Sequence, residues 1–438
     1  MFPCSSRRGP TALTAEVEVS GDSTDLARTV LQRLDALAKI SDDPNCLTRS
    51  FSSPAMRRAN SLVATWMRKA GMKVRTDAIG NLIGHYPAAI SRSKIKNQKS
   101  KILLLGSHLD TVRNAGKFDG PLGVLVAIAC IEHLRNSKIS VPFAIEVVGF
   151  ADEEGVRYQS TYLGSRILAG TFNSRELKRR DANGVTMAEA IRNFGANPKV
   201  LSQAKLNPKR LLGYAEVHIE QGPTLEKQNL SVGVVTAIAG QTRLRLTFTG
   251  QAGHAGTTPM NLRRDALCAA AQFISAVETL ARRTMGLVAT VGEITASPGA
   301  SNVIPGVVAL SLEVRHAKDS VRERAVATFQ SAAAQITRRR KIKLSAEIVH
   351  QSAAIACDRA LSRILRAAAR RHQKQVPPLP SGAGHDAAAL AAITPVAMLF
   401  VRCKGGISHH PDESVSERDI RVAISVMIDF LQLLAQNA

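Results

Sequence analysis

An alternation of short apolar runs with helical stretches restricts this chain more than any other feature. KILLLGSH (101–108) has the length of one buried strand, GVLVAIACIEHLRNS (123–137) reads as the helix after it, and FAIEVVGFADEE (143–154) as the next strand. Strand, helix and strand in this rhythm predict a parallel sheet with helices on both faces. Helical periodicity also covers 24–40 and 54–70, and Gly71 is a stop signal for the second. From about 241 to 351 the rhythm changes to strand (QTRLRLTFTG), helix (263–283), two strands (287–296 and 307–316), helix (320–340) and strand (342–351). β-α-β-β-α-β is the split, ferredoxin-like arrangement. The expected fold is α/β. One discontinuous domain (1–236 and 353–438) carries a mixed, largely parallel sheet flanked by helices, and an α+β ferredoxin-like domain (237–352) is inserted in it. At 438 residues two cores are the natural expectation.

Composition removes several classes of function. Aromatic residues make up 4% of the chain, which speaks against stacking on bases or sugar rings. The apolar run Val124 to Ile131 is far short of the ~20 residues a membrane span needs, so no membrane partner is expected. The net charge is +23; most of the basic residues are scattered, and three clusters stand out at 92–101, 337–343 and 366–374. No zinc finger, RNP-like or helix-turn-helix signature accompanies them. They read as solvated faces or a preference for acidic substrates, not as a specific nucleic-acid interface. Six widely spaced cysteines without Cys-x-x-Cys argue against a disulfide framework and for a reducing, cytoplasmic setting. The first sixteen residues lack the apolar core of a secretory signal. They are acid-poor and contain Ser and Arg, so organellar targeting is the alternative to an unstructured extension.

In open parallel sheets, ligands gather beyond the carboxyl ends of the strands. His108 and Asp110 lie where KILLL ends, and Glu153 and Glu154 where FAIEVVGF ends, so two strands deliver acids and an imidazole to one edge. Asp119 can fold back to that edge across a loop to which Gly116 and Gly120 give backbone freedom. His, Asp and Glu without thiolates suit Zn²⁺, Mn²⁺ or a similar divalent ion. The spacing His108-x-Asp110 lets the aspartate orient the imidazole. At a strand end, one of two adjacent glutamates can bind metal while the other reaches the attacking water. Further candidates are His218, Glu220 and Gln221 after another short strand, and His409 and His410 in a glycine-rich turn. In the inserted segment His254, Asn302 and Arg315 stand out, the last as a bidentate clamp for a carboxylate.

GSHLDT, FDG, DEEG, HIEQGP, HAGTTPM, NVIPG, SGAGHDA and GGISH occur in this order. In these motifs the chain resembles the hydantoinase/carbamoylase amidases of the dinuclear-metal aminoacylase/carboxypeptidase superfamily, over nearly everything beyond residue 24. That resemblance implies two divalent ions per subunit, Mn²⁺ first and Zn²⁺ second. It implies His108 and His218 as ligands of one ion, Glu154 and His409 of the other, and Asp119 as the bridge. Glu153 would be the general base and Asp110 the partner of His108. His254, Asn302 and Arg315, with Gln221 and Gly384, would contact substrate. The inserted domain would make a homodimer in which His254 serves the partner's site and stabilises the developing oxyanion.

The implied reaction is hydrolysis of a ureido C–N bond by metal-activated water. DEEGVRYQSTYLGS and FDGPLGVLVAIACIE are similar to stretches of allantoate amidohydrolases, which points to allantoate giving ureidoglycine, ammonia and carbon dioxide. N-carbamoyl-L-amino acids are the alternative within the class, followed by β-ureidopropionate and ureidoglycolate. Ala115 and Tyr158 depart from the pattern, which commonly has Gly and Phe there. The charge of +23 also raises a reading of another class, a polyanion-binding protein on an inactive scaffold. Against it, every ligand position and the base are present.

Overall fold

The computed structural model describes residues 21–89 and 100–437. The N-terminal sixteen residues and most of the 92–101 basic cluster lie outside the described residues.

Strands β1 (Lys73–Thr76), β2 (Leu82–Tyr86), β3 (Ile102–His108), β4 (Ala144–Phe150), β5 (Leu211–Ile219) and β6 (Val232–Ile238) belong to a nine-stranded sheet. After Ala239 the chain enters a second sheet. It contains β7 (Gly240–Thr249), β9 (Val288–Thr290), β10 (Ile294–Ser297), β12 (Val307–His316) and β13 (Lys343–Ser352), while β8 (Gly253–His254) and β11 (Val303–Ile304) pair as a small ribbon. β14 (Ile355–Ala356), β15 (Pro378–Ser381) and β16 (Val396–Val401) return to the first sheet.

The large sheet runs β1-β2-β4-β3-β5-β16-β6-β14, with β15 also on β6. Its centre, β4-β3-β5-β16, is parallel, and β2 and β6 flank it antiparallel. Every residue of β3, β4 and β16 is buried, as strands covered on both faces require. The helices Gly21–Ala38, Pro121–Asn136 and Glu417–Gln436 pack together over one face, and Leu168, Ala387 and Leu390 from the helices Leu163–Ala169 and Asp386–Leu390 pack on the other.

The helix Pro121–Asn136 is apolar nearly all round and buries Leu122, Val124, Leu125, Val126, Ile128, Ile131 and Leu134. Each such side chain contributes roughly 1.5–3 kcal/mol relative to exposure. Packing of this helix fixes where the preceding loop, 109–120, must end.

The second sheet is antiparallel in the order β10-β12-β7-β13, with β9 also on β12. Helices Ala266–Arg283 and Asp319–Arg339 cover one face around Phe248, Phe273 and Phe329. The stretch 287–296, expected as one strand, forms two. The chain steps out around Gly292, where the Glu293 amide donates to Ser311 Oγ (3.0 Å). A strand-interior glycine with no side chain to pack favours such a break.

Candidate metal and active centre

The parallel strands end level with one another. His108, the last residue of β3, pairs with Phe150 at the end of β4, and His218, next to last in β5, pairs with Phe400 of β16. The loops after these strands bring Asp119, then Glu153 and Glu154, then Gln221, then His409 to one sheet edge.

Asp119 is the hub. Its Oδ1 lies 3.0 Å from His218 Nε2 and 3.8 Å from His108 Nε2, and its Oδ2 lies 3.1 Å from His409 Nε2. His409 Nε2 is also 3.4 Å from Glu154 Oε1. Candidate ligand atoms of His108, Asp119 and His218 fall within 4.8 Å of one another, and so do those of Asp119, Glu154 and His409. Two candidate ligand groups therefore share one carboxylate, with one oxygen turned to each. His108 Nδ1 faces the Asp110 carbonyl (3.0 Å) and His218 Nδ1 the Ile219 carbonyl (3.0 Å), which leaves both Nε2 atoms for the centre.

His108, Asp110, Asp119, Glu153 and His218 are all buried. Burial alone would neutralise them, but they hold one another in charged or protonated states. Burial works to raise Asp119, yet hydrogen bonds from His218 and His409 keep it well below the usual carboxylate range. His409 is raised to about 10 by its contacts with Asp119 and Glu154. For His108 the lowering by burial is outweighed by Asp110, Glu153 and Asp119, and it ends well above 6.5. Glu153 is pushed well up by burial, with Glu154, Asp386 and Asp110 adding to the shift against His108. So many buried acids and imidazoles at one point are costly without a compensating cation. An N/O donor set without thiolates fits Mn²⁺ or Zn²⁺.

The Asp110 carboxylate does more than face His108. Its Oδ1 is 3.5 Å from His108 Nδ1, while its two oxygens accept the Glu153 and Glu154 amides, each at 3.1 Å. Orientation of His108 falls chiefly to the Asp110 backbone, and the carboxylate places both glutamates.

The two loop glycines serve different ends. Gly120 has φ +82°, and a Cβ there would lie 2.5 Å from the His108 ring. Gly116 is needed for space, because a Cβ would collide with Glu413 Cβ. Buried Glu413 accepts the Phe118 (2.7 Å) and Asp119 (3.0 Å) amides on Oε1, and the single Ser408 hydroxyl proton is shared between Glu413 Oε2 (3.2 Å) and Asp119 Oδ2 (3.0 Å). Glu413 ties the Asp119 loop to the His409 loop.

The family model of Peptidase family M20/M25/M40 matches residues 104–433. The chain belongs to this family. It is 39% identical to a probable allantoate deiminase of Oryza sativa subsp. japonica, over 96% of this chain and 92% of that one. It is 42% identical to an N-carbamoyl-L-amino acid amidohydrolase of Geobacillus stearothermophilus, over 93% and 98% respectively. A solved hydantoinase/carbamoylase family amidase from Burkholderia multivorans superposes with a TM-score of 0.85 at 31% identity, covering 92% of this chain and 97% of that one. This M20-family chain is thus an amidohydrolase of the hydantoinase/carbamoylase kind.

The residues expected to contact substrate divide into two groups. Gln221 Nε2 donates to Asp119 Oδ2 and Ser408 Oγ (both 3.1 Å). Arg315 donates from Nε to Glu313 (2.6 Å) and from Nη1 to the Gly382 carbonyl, so it reaches the loop that carries Gly384. A Cβ on Gly384 would collide with the Tyr162 hydroxyl. His254 and Asn302 are exposed and adjacent across the β8–β11 ribbon, and among the described residues no hydrogen bond or ion pair joins them to the Asp119 cluster.

Sequence reasoning missed several neighbours in this M20-family site. Glu216 accepts Ser107 Oγ (2.9 Å) and the Ala387 amide (3.1 Å), and His385 Nε2 sits 2.7 Å from Ser381 Oγ. Asp386 accepts Ser165 Oγ (2.6 Å). Glu216 was legible, since it stands two residues before His218 and so on the same face of its strand. Tyr162, Gln221 and His409 hold φ of +59°, +56° and +57°. Such backbone costs about 1–3 kcal/mol per residue and collects at functional sites.

Proposed function

We propose that the chain hydrolyses the ureido C–N bond of a ureido acid, with allantoate as first substrate, giving ureidoglycine, ammonia and carbon dioxide. The observation that carries this reading is Asp119, with one carboxylate oxygen on the His108–His218 side and the other on the His409–Glu154 side. In this reading His108 and His218 hold one divalent ion, Glu154 and His409 the other, and Asp119 bridges them. Manganese is the first choice of ion and zinc the second. When bound, the pair would supply a polarised ureido carbonyl and a water with its pKa lowered toward ~7. Glu153 takes the proton of the attacking water and returns it to the leaving nitrogen. Asp110 keeps Glu153 and Glu154 in place by accepting their amides. Arg315 holds the substrate carboxylate, with Gln221 and the Gly384 loop beside it.

We assign catalysis to residues 1–236 and 353–438, and a lid and dimer-forming role to 237–352. In support of a homodimer, every exposed large hydrophobic among the described residues except Ile407 lies between Met260 and Val349. His254 and Asn302, exposed and away from the Asp119 cluster of their own chain, would then serve the partner's site. No helix among the described residues is long and apolar enough to cross a membrane, and no nucleic-acid partner is invoked. The free cysteines Cys46, Cys130, Cys268, Cys357 and Cys403 support a reducing, cytoplasmic setting.

N-carbamoyl-L-amino acids form the second reading, favoured by the 42% identity to the Geobacillus enzyme. The test is ammonia release from allantoate and from a panel of N-carbamoyl-L-amino acids, after chelation and after return of Mn²⁺ or Zn²⁺. Metal-dependent release from allantoate is expected. Release confined to N-carbamoyl-L-amino acids would move the substrate to the second reading, and no release from any ureido acid would end the proposal.

A further inference from the structure

We infer that Tyr162 is a substrate-binding residue whose phenol hydroxyl donates to the carboxylate of the ureido acid held by Arg315. The inference rests on the ureido-acid reading above and adds a donor that none of the sequence motifs called for.

Four observations meet at this side chain. Its ring is hinged to the loop of the proposed general base, for the Tyr162 amide donates to the Glu153 carbonyl (3.0 Å) and the Leu163 amide to the Asp152 carbonyl (2.7 Å). Its backbone is held at φ +59°, ψ +31°, a conformation a bulky aromatic adopts only when its surroundings impose it. Its hydroxyl presses on Gly384, in the space a Cβ would take, and Arg315 grips Gly382 in the same short loop. The charges of Glu153, Asp386, Arg315 and Glu154 all reach the phenol.

The hydroxyl itself makes no hydrogen bond to any described residue, although the side chain is half-buried. A phenylalanine would fill the same volume without leaving a polar atom to be satisfied. The hydroxyl is not among the enclosed side-chain atoms left without a partner, so it opens at the rim of the centre and is free to donate to a ligand there. Burial and the neighbouring carboxylates push the phenol well up, so it remains a hydrogen donor at neutral pH. Arg315 spends Nε on Glu313 and Nη1 on Gly382, and Nη2 is left without a partner among the described residues. A carboxylate on Nη2 would have a second oxygen to satisfy, and the Tyr162 hydroxyl borders the same loop.

The test combines binding and turnover on metal-loaded protein. In a Glu153→Gln background, where turnover is slowed about 10²–10⁴-fold, calorimetry measures the Kd of allantoate and N-carbamoyl-L-alanine with Tyr162 intact and with Tyr162→Phe. Losing one hydrogen bond to a charged group should weaken both ligands roughly ten- to hundredfold. The uncharged N-carbamoyl-L-alaninamide should bind both proteins alike. In the active protein, Tyr162→Phe should raise KM by a similar factor with kcat nearly unchanged. Equal Kd values for the carboxylates in both proteins would overturn the inference. So would equal losses for carboxylate and amide, which mark a packing role, or a fall in kcat at constant KM, which marks an action on Glu153. A wild type that binds ureido acids but hydrolyses none would defeat the functional reading alone, and the Kd comparison would still decide the role of Tyr162.

Discussion

Glu413 is the side chain whose removal should most clearly separate the framework of the centre from its chemistry. It touches no candidate ligand's coordinating nitrogen, yet its Oε1 accepts the amides of Phe118 and Asp119, and its Oε2 accepts Ser408 Oγ, next in sequence to His409. Glu413→Ala orphans two buried amides, at about 1–3 kcal/mol each. Part of that loss is returned. Burial and the nearby Asp119 push Glu413 up to about 7, so the truncation also removes a strained acid. The two amides lose about 2–6 kcal/mol together and the relieved acid returns about 3 kcal/mol, so a net destabilisation of up to about 3 kcal/mol follows. Because the change loosens Asp119, metal affinity should fall about 10–100-fold, the usual range for outer partners of ligands. Two assays read this: thermal unfolding of the chelated protein, and competition of a calibrated chelator for bound Mn²⁺. Glu413→Gln keeps an oxygen for the two amides and should lose much less in both. If Glu413→Ala matches the wild type in unfolding midpoint and in metal affinity, the clamp between the two loops is not what holds the centre together.

Two other outcomes follow from the charges at the site. Glu153→Gln should retain the metal content of the wild type while turnover falls by about 10²–10⁴, as for loss of a general base; loss of metal instead would mean that Glu153 and Glu154 have exchanged roles. In the metal-free protein His409 is raised to about 10, and His108 and His218 are raised by their carboxylate neighbours after the opposing effect of burial. Stability from these raised imidazoles is complete below their unfolded value near 6.5 and fades as pH climbs toward the folded values. The raised acids Glu153 and Glu413 act in the same direction, costing more as pH rises above about 4.5. The chelated protein should therefore unfold at lower temperature at pH 9 than at pH 6. The gain in midpoint on adding Mn²⁺ should grow over that interval, because ligation requires neutral imidazoles; a gain independent of pH would contradict these protonation states.

Much of this was legible in the chain because the relevant signals are local. Fully apolar runs such as Ile102–Leu105 dictate strands covered on both faces, and ligands at their carboxyl ends follow from the parallel sheet. The helices and strands of 241–351 were legible from periodicity, apart from the break at Gly292, where one missing side chain decided the matter. A mixed sheet was expected, but not which strands, β2 and β6, would flank it antiparallel, since pairing direction depends on partners far along the chain. Gly116 looked like a source of flexibility and is a matter of space, because the side chain that fills it, Glu413, comes from nearly 300 residues away. Asp110 was read as a partner of one imidazole, and its carboxylate also holds two backbone amides from the next loop. The hydroxyl of Tyr162 carried no signal in sequence, for its meaning lies in its place against Gly384, more than 200 residues further along the chain.

The central claim is that Asp119 joins two metal positions in a working ureido-acid hydrolase. One titration addresses it directly. Chelated protein receives Mn²⁺ in measured steps, and ammonia release from allantoate is recorded at each step. Activity should rise until two equivalents per chain are bound and then level off, with Asp119→Asn unable to reach that plateau. Full activity at one equivalent, or an Asp119→Asn protein that behaves like the wild type, would contradict the claim.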